Sequence, residues 1–285
     1  MKLIFLLACC FSLCTALAQP TLVKQAIIST TTNVIAPEEE DIQSLQNPQS
    51  PGSMNFRNMM DGETKFTTYL KDGMVKTVIK NEMGRSTIYR DQDKKLTTTL
   101  IEMMGNKMGF YITDEEQVEM KRKMDSTIKA RRSKDTTAVQ AAPQTEIPAE
   151  ISPAGESKKI AGYHCTKAYL INTRLLGIKD TINIWYTTEI KIQNILSTGG
   201  LQAFGGMMGN MGVNLNGLDK IDGFVMRYEA NMRNRRRMEV EVTKIDLTKN
   251  IDEKEFTIPK DVEVKPMKEM QNMFGGQGGQ FRRGN

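Results

Sequence analysis

KKIAGYHCTKAYL (158–170) and DTINIWYTTEI (180–190) are two β-rich runs set around a polar break that contains Gly177. They hold the chain's only tryptophan, Trp185, and its only histidine, His164. β-Branched and aromatic residues at this density favour strands. Working outward, residues 24–36 (KQAIISTTTNVIA) read as a first strand and 37–61 as a long polar insertion. Asp72-Gly73 is a two-residue hairpin signal. It predicts Leu70 opposite Val75, Thr68 opposite Thr77 and Phe66 opposite Ile79, all on one sheet face. Arg85 to Asp91, Lys95 to Glu102 and Met108 to Thr113 continue as short strands at meander spacing.

Asp114 to Arg132 contains no Gly or Pro and places Met120, Met124 and Ile128 at i, i+4, i+8. That spacing predicts a helix with a thin apolar stripe. Residues 133–157 contain three prolines and many small residues and read as a mobile insertion. Phe224 to Ala230 and Arg237 to Asp246 are further strands, and Glu255 to Pro259 a short edge strand. Residues 266–285 read as a flexible tail.

At the N-terminus Lys2, the apolar run Leu3 to Leu13 and Ala16-Leu17-Ala18 read as a signal peptide over 1–18. The run is too short for a membrane span. Export to the periplasm or the outer-membrane region is the expected localisation, with peripheral membrane contact. Cleavage removes Cys9, Cys10 and Cys14 and leaves Cys165 alone, so no internal disulfide is expected. Cys165 reads as a buried strand cysteine, with a reactive thiol as the alternative. A net charge of +5 over 285 residues is too mild for a nucleic-acid binder.

Catalytic chemistry finds little to work with. His164 and Cys165 are sequence neighbours, and neighbours in a strand point to opposite faces, so they cannot pair as base and nucleophile. One His and one Cys are too few for zinc. The glycines of 199–217 lack the G-K-[ST] ending of a phosphate loop. The expectation is a non-enzyme without a cofactor.

Residues 159–168 (KIAGYHCTKA) resemble the I-x-G-Y-x-C-x-K-A signature of the GLPGLI family of secreted proteins and its uncharacterised relatives. Residues 184–190 (IWYTTEI) resemble the W-Y-T-x-E-I element that follows it, and 256–259 (FTIP) resembles the closing F-x-I-P. The Gly-Leu-Pro-Gly-Leu-Ile core that names the family is absent, so the uncharacterised relatives are the better match. These relatives are similar in fold to periplasmic lipoprotein carriers. The resemblance implies a mainly β fold: a curved, incompletely closed antiparallel sheet, or half-barrel, with one or two helices. The strand succession over residues 24–265 also fits these relatives, and residues 19–265 are expected to form a single β-rich domain.

Three readings follow. In the first, the concave face binds a lipid or other apolar envelope component. Phe66, Leu70, Ile182, Ile184 and Met226 line it, and Leu201, Phe204, Met207, Met208 and Met211 belong to an apolar, Gly-rich cover between Lys191 and Lys220. Such binding needs no catalytic motif, because each buried methylene contributes about 0.8 kcal/mol. In the second, the domain is a structural or protein-interaction module of the envelope. In the third, Met207, Met208 and Met211, or Met267, Met270 and Met273, hold Cu(I) through thioether sulfur.

Overall fold

The computed structural model describes residues 21–35, 62–82, 84–103, 105–134, 148–173, 179–192, 215, 217–232 and 236–269. The expected signal peptide at 1–18, the insertion at 37–61, and Leu201, Phe204, Met207, Met208, Met211, Met270 and Met273 lie outside the described residues. So does the expected tail beyond residue 269.

The strands are β1 (Thr21–Val23), β2 (Gln25–Ile35), β3 (Gly62–Lys71), β4 (Met74–Asn81), β5 (Gly84–Asp91), β6 (Leu96–Met103) and β7 (Asn106–Thr113). After helix α1 (Asp114–Lys134) come β8 (Glu150–Ile160), β9 (Tyr163–Thr173), β10 (Lys179–Thr187), β11 (Ile190–Ile192), β12 (Phe224–Asn231), β13 (Arg237–Asp246) and β14 (Val264–Pro266). Twelve of them form one open sheet in the order β14-β7-β6-β5-β4-β3-β2-β13-β12-β10-β9-β8. The fold is mainly β and incompletely closed, as expected. Strand β2 lies between β3 and β13, so the first long strand joins the meander to the C-terminal half.

Asp72 and Gly73 both take positive φ, 45° and 79°, and close the β3–β4 hairpin with Leu70 opposite Val75, Thr68 opposite Thr77 and Phe66 opposite Ile79. That is the predicted register. The same chemistry closes β8–β9, where Ala161 (φ 48°) and Gly162 (φ 91°) lie between the paired Ile160 and Tyr163.

Three expectations are corrected. The sheet is not wholly antiparallel, because β14 runs parallel to β7, and β1 and β11 form a separate parallel pair. The expected insertion at 133–157 ends early, since Glu150–Ile160 is the edge strand β8. Pro153 is tolerated there because an edge strand leaves one side unpaired, and the register shifts between Pro153 and Ser157. Glu253–Phe256 is a 3-10 turn rather than a strand, capped by the Asp252 carboxylate accepting from the Lys254 N–H. The C-terminal edge strand instead falls at Val264–Pro266.

Helix α1 starts at a capping box. The Glu116 N–H donates to Thr113 Oγ1 at 3.2 Å, and the Thr113 N–H donates to Glu116 Oε2 at 3.1 Å. The Arg90 guanidinium donates to both Asp114 oxygens at 2.6 and 2.7 Å, tying the first helical residue to β5. Val118 is 69% exposed, so the helix surface around it faces solvent.

Candidate functional site

Cross-strand register assigns every strand residue to a face. One row runs Thr30, Phe66, Ile79, Ser86, Ile101, Met108 across β2 to β7. The next runs Ile28, Thr68, Thr77, Ile88, Thr99, Phe110. These rows share the face of Val34 in β2 and Met238 and Val240 in β13, which is called the inner face below.

The inner face is filled at one end and open at the other. Phe66, Ile182 and Ile184 belong to a buried cluster with Val34, Leu170, Tyr228, Met238 and Val240. Leu218, the first residue of a short 3-10 turn, and Ile221, which caps its end, pack into the same cluster. Leu70 and Met226 belong to a second cluster with Ala26, Ile28, Val75 and Trp185. The five described residues expected to line a cavity are therefore all buried among the chain's own side chains, in two separate groups.

Toward β7 the same face opens. Ile79, Ile88, Ile101 and Phe110 are half-buried, and Met103 and Met108 are 36% and 37% exposed. On the inner face Thr77 and the row through Val75 and Ile112 stay buried, and at this end the outer face is buried as well, at Val78, Thr87, Tyr89 and Thr98. The cause is the C-terminal segment. Lys71 Nζ donates to the Ile251 carbonyl at 2.9 Å, and Lys76 Nζ pairs with Glu255 at 2.7 Å. Gly109 leaves room for the segment, since a Cβ there would come 3.0 Å from Val264 Cγ2 and 2.9 Å from Leu100 Cδ2. The outer face is thus packed at β4–β7, where the inner face stays covered along the row of Val75 and Ile112 and opens only along the rows of Ile79 and Ile88. The apolar residues Ile101, Met103, Met108 and Phe110 were not singled out from the sequence. They carry the same alternation as Phe66 and Leu70, and that alternation is the one signal that would have found them.

The outer face of β12 and β13 carries a charge lattice. Arg227 reaches Glu229 at 2.5 Å, Glu241 at 2.6 Å and Glu239 at 3.2 Å, and Arg237 reaches Glu229 at 3.0 Å. Burial raises the pKa of Glu229. Hydrogen bonds from Arg227 and Asn183 and the charges of both arginines outweigh this and hold it below the usual carboxylate range. Trp185 lies beside this lattice, with Lys158 Nζ 4.3 Å and Lys167 Nζ 5.6 Å from its ring centroid.

His164 is exposed and Cys165 is 1% exposed, as opposite faces require. Burial pushes the Cys165 thiol up to about 11. Among the described residues no group of three His, Cys, Asp or Glu could hold a metal ion. No described helix is long and apolar enough to cross a membrane.

The family model for the domain of unknown function DUF4412 matches residues 52–262. The chain belongs to this family. The GLPGLI resemblance thus narrows to the uncharacterised relatives, and membership of GLPGLI itself is not shown. No curated protein matches by sequence. Among solved structures, PNGF-II in two crystal forms aligns at TM-scores of 0.37 and 0.36, with 14% identity over 88% of this chain. This chain spans about a third of the PNGF-II chain, 32% and 33%. A LolA superfamily protein from Nitrosomonas europaea aligns at a TM-score of 0.28 and 6% identity, covering 84% of this chain and 93% of that one. Likenesses this distant say nothing about what a DUF4412 chain binds.

Proposed function

We propose that this DUF4412 protein is a non-catalytic, exported binding protein that takes a lipid or other apolar envelope component on the inner face of its open sheet. One observation supports the reading above the others: an inner-face row, apolar except at Ser86, that starts at buried Phe66 and ends at exposed Met108. Four inter-strand steps of about 4.8 Å give this row a length of roughly 19 Å. An acyl chain laid along it replaces water over Ile79, Ile101 and Met108, and each covered methylene contributes about 0.8 kcal/mol. Met108 and Met103 suit such a surface because the flexible thioether side chain adapts to variable shapes.

The open β4–β7 end takes over the role that the sequence assigned to Leu70, Ile182, Ile184 and Met226. Phe66 keeps a part in it as the buried end of the row. Binding of N-phenylnaphthylamine, a dye that fluoresces in apolar surroundings, tests the reading. Wild-type protein should enhance its fluorescence, and Ile101→Glu should abolish the enhancement while leaving the fold intact. Equal enhancement by both proteins would refute the placement.

A further inference from the structure

Two side-chain oxygens, Thr32 Oγ1 and Tyr228 Oη, are fully buried without a hydrogen-bond partner. They are not scattered. Tyr228 in β12 is opposite Val240 in β13, and Val240 is opposite Thr32 in β2, so both hydroxyls belong to one inner-face row. Elsewhere on this face buried hydroxyls satisfy each other, as Thr68 and Thr77 do at 3.2 Å. Buried polar groups are nearly always paired, because water is lost without replacement otherwise. Phe and Val would fill the same space without that cost.

The surroundings are apolar. Val34, Ile184, Leu218, Ile221, Met238 and Val240 pack in the cluster that contains Tyr228. Alternation places the charged residues Arg227, Glu229, Arg237, Glu239 and Glu241 on the opposite face of β12 and β13. Among the described residues of β2, β12 and β13, no charged side chain shares the inner face. A carboxylate or phosphate placed there would have no counter-ion. Thr32 is also opposite Thr64, two residues from Phe66, which begins the apolar row.

We infer that Thr32 and Tyr228 form the polar subsite for the uncharged head of an amphiphile, a hydroxyl or ester group, whose chain runs from Phe66 toward Met108. This rests on the reading of the apolar row as a binding face. The head reaches the hydroxyls when Leu218 and Ile221 withdraw. Both sit on the segment that begins at Gly217, whose φ of 93° only glycine adopts without strain. The class selected is a neutral glyceride or fatty alcohol, in preference to a free fatty acid.

The test uses the mature protein and displacement of N-phenylnaphthylamine by monoolein, oleate and octadecene. Monoolein should compete best. Tyr228→Phe and Thr32→Val should each weaken monoolein by about fivefold, the worth of one neutral hydrogen bond, and leave octadecene unchanged. Unliganded Tyr228→Phe should melt no lower than wild type, which a hydroxyl without a partner requires. A lower melting temperature, equal losses for monoolein and octadecene, or preference for oleate would each overturn the subsite. Failure of every probe to displace the dye, with the dye itself bound, would also overturn it. Failure of the dye to bind at all would instead strike the apolar row on which it rests.

Discussion

Phe66 and Met108 lie in one row of the sheet, four strands apart, yet Phe66 is 8% exposed and Met108 37%. The contrast comes from what packs on each end. Near Phe66 the inner face is filled by Leu218, Ile221 and the side chains of β10, β12 and β13. Toward β4 the segment at 251–255 packs against the other face, and beside Met108 strand β14 extends the sheet edge without covering it. Because the inner covering ends partway along it, a row that is apolar except at Ser86 rises from core to surface.

The helix anchor has a measurable weight. Arg90, with its side chain 10% exposed, makes two charge-assisted hydrogen bonds to Asp114. Arg90→Ala should lower unfolding stability by about 2 kcal/mol, the range for hydrogen bonds to charged groups. Urea midpoints with an unchanged m-value would register this. A shift under about 0.5 kcal/mol would mean the pair behaves as an exposed surface bridge.

Alkaline pH should weaken the fold through Cys165. Its folded pKa of about 11 exceeds the ordinary value of 9.0, so the unfolded chain loses its proton first. The stabilising difference is whole below pH 9 and falls as pH rises toward about 11. Cys165→Ala should flatten that stretch of the stability profile. In native protein at neutral pH the thiol should resist iodoacetamide, and in urea it should react at once.

Acid should act through Glu229, with the opposite sign. Its folded pKa is depressed below the ordinary 4.5, so the unfolded state takes up the proton first. The stability it contributes is present above pH 4.5 and is lost as pH falls through the folded value. Glu229→Gln should therefore show a shallower loss on acidification, read from melting temperatures across the acid limb.

The β8–β9 turn carries a correctable strain. Ala161 holds a φ of 48°, where an L residue with a Cβ is disfavoured. Ala161→Gly should stabilise the protein by about 0.5–1 kcal/mol after allowing for the added freedom of the unfolded chain. A destabilisation in thermal melts would show that the turn relaxes without help.

The sequence revealed the sheet locally and the site only in part. Asp72-Gly73 set the β3–β4 register, because a two-residue turn leaves the flanking residues one pairing. Alternation separated His164 from Cys165. Alternation reports which face a residue is on, though, and not what covers that face. Phe66 and Met108 carry the same signature, and only the distant packing of Leu218 on one side and Val264 on the other tells them apart. Strand β8 was hidden by Pro153 and Gly155, which read as linker until an edge position and a register shift accommodate them. The paired position of Thr32 and Tyr228 depends on strands about 200 residues apart in sequence meeting through β13.

The most direct test is mass spectrometry of the protein purified from its own cells without detergent, comparing wild type with an Ile101→Glu, Met108→Glu double variant. The account predicts a lipid that travels with the wild type and is lost from the folded variant, because two carboxylates on the open row make acyl contact unfavourable. The same lipid retained at the same stoichiometry by both proteins would contradict it, as would folded wild-type protein that is free of lipid and takes none from added vesicles.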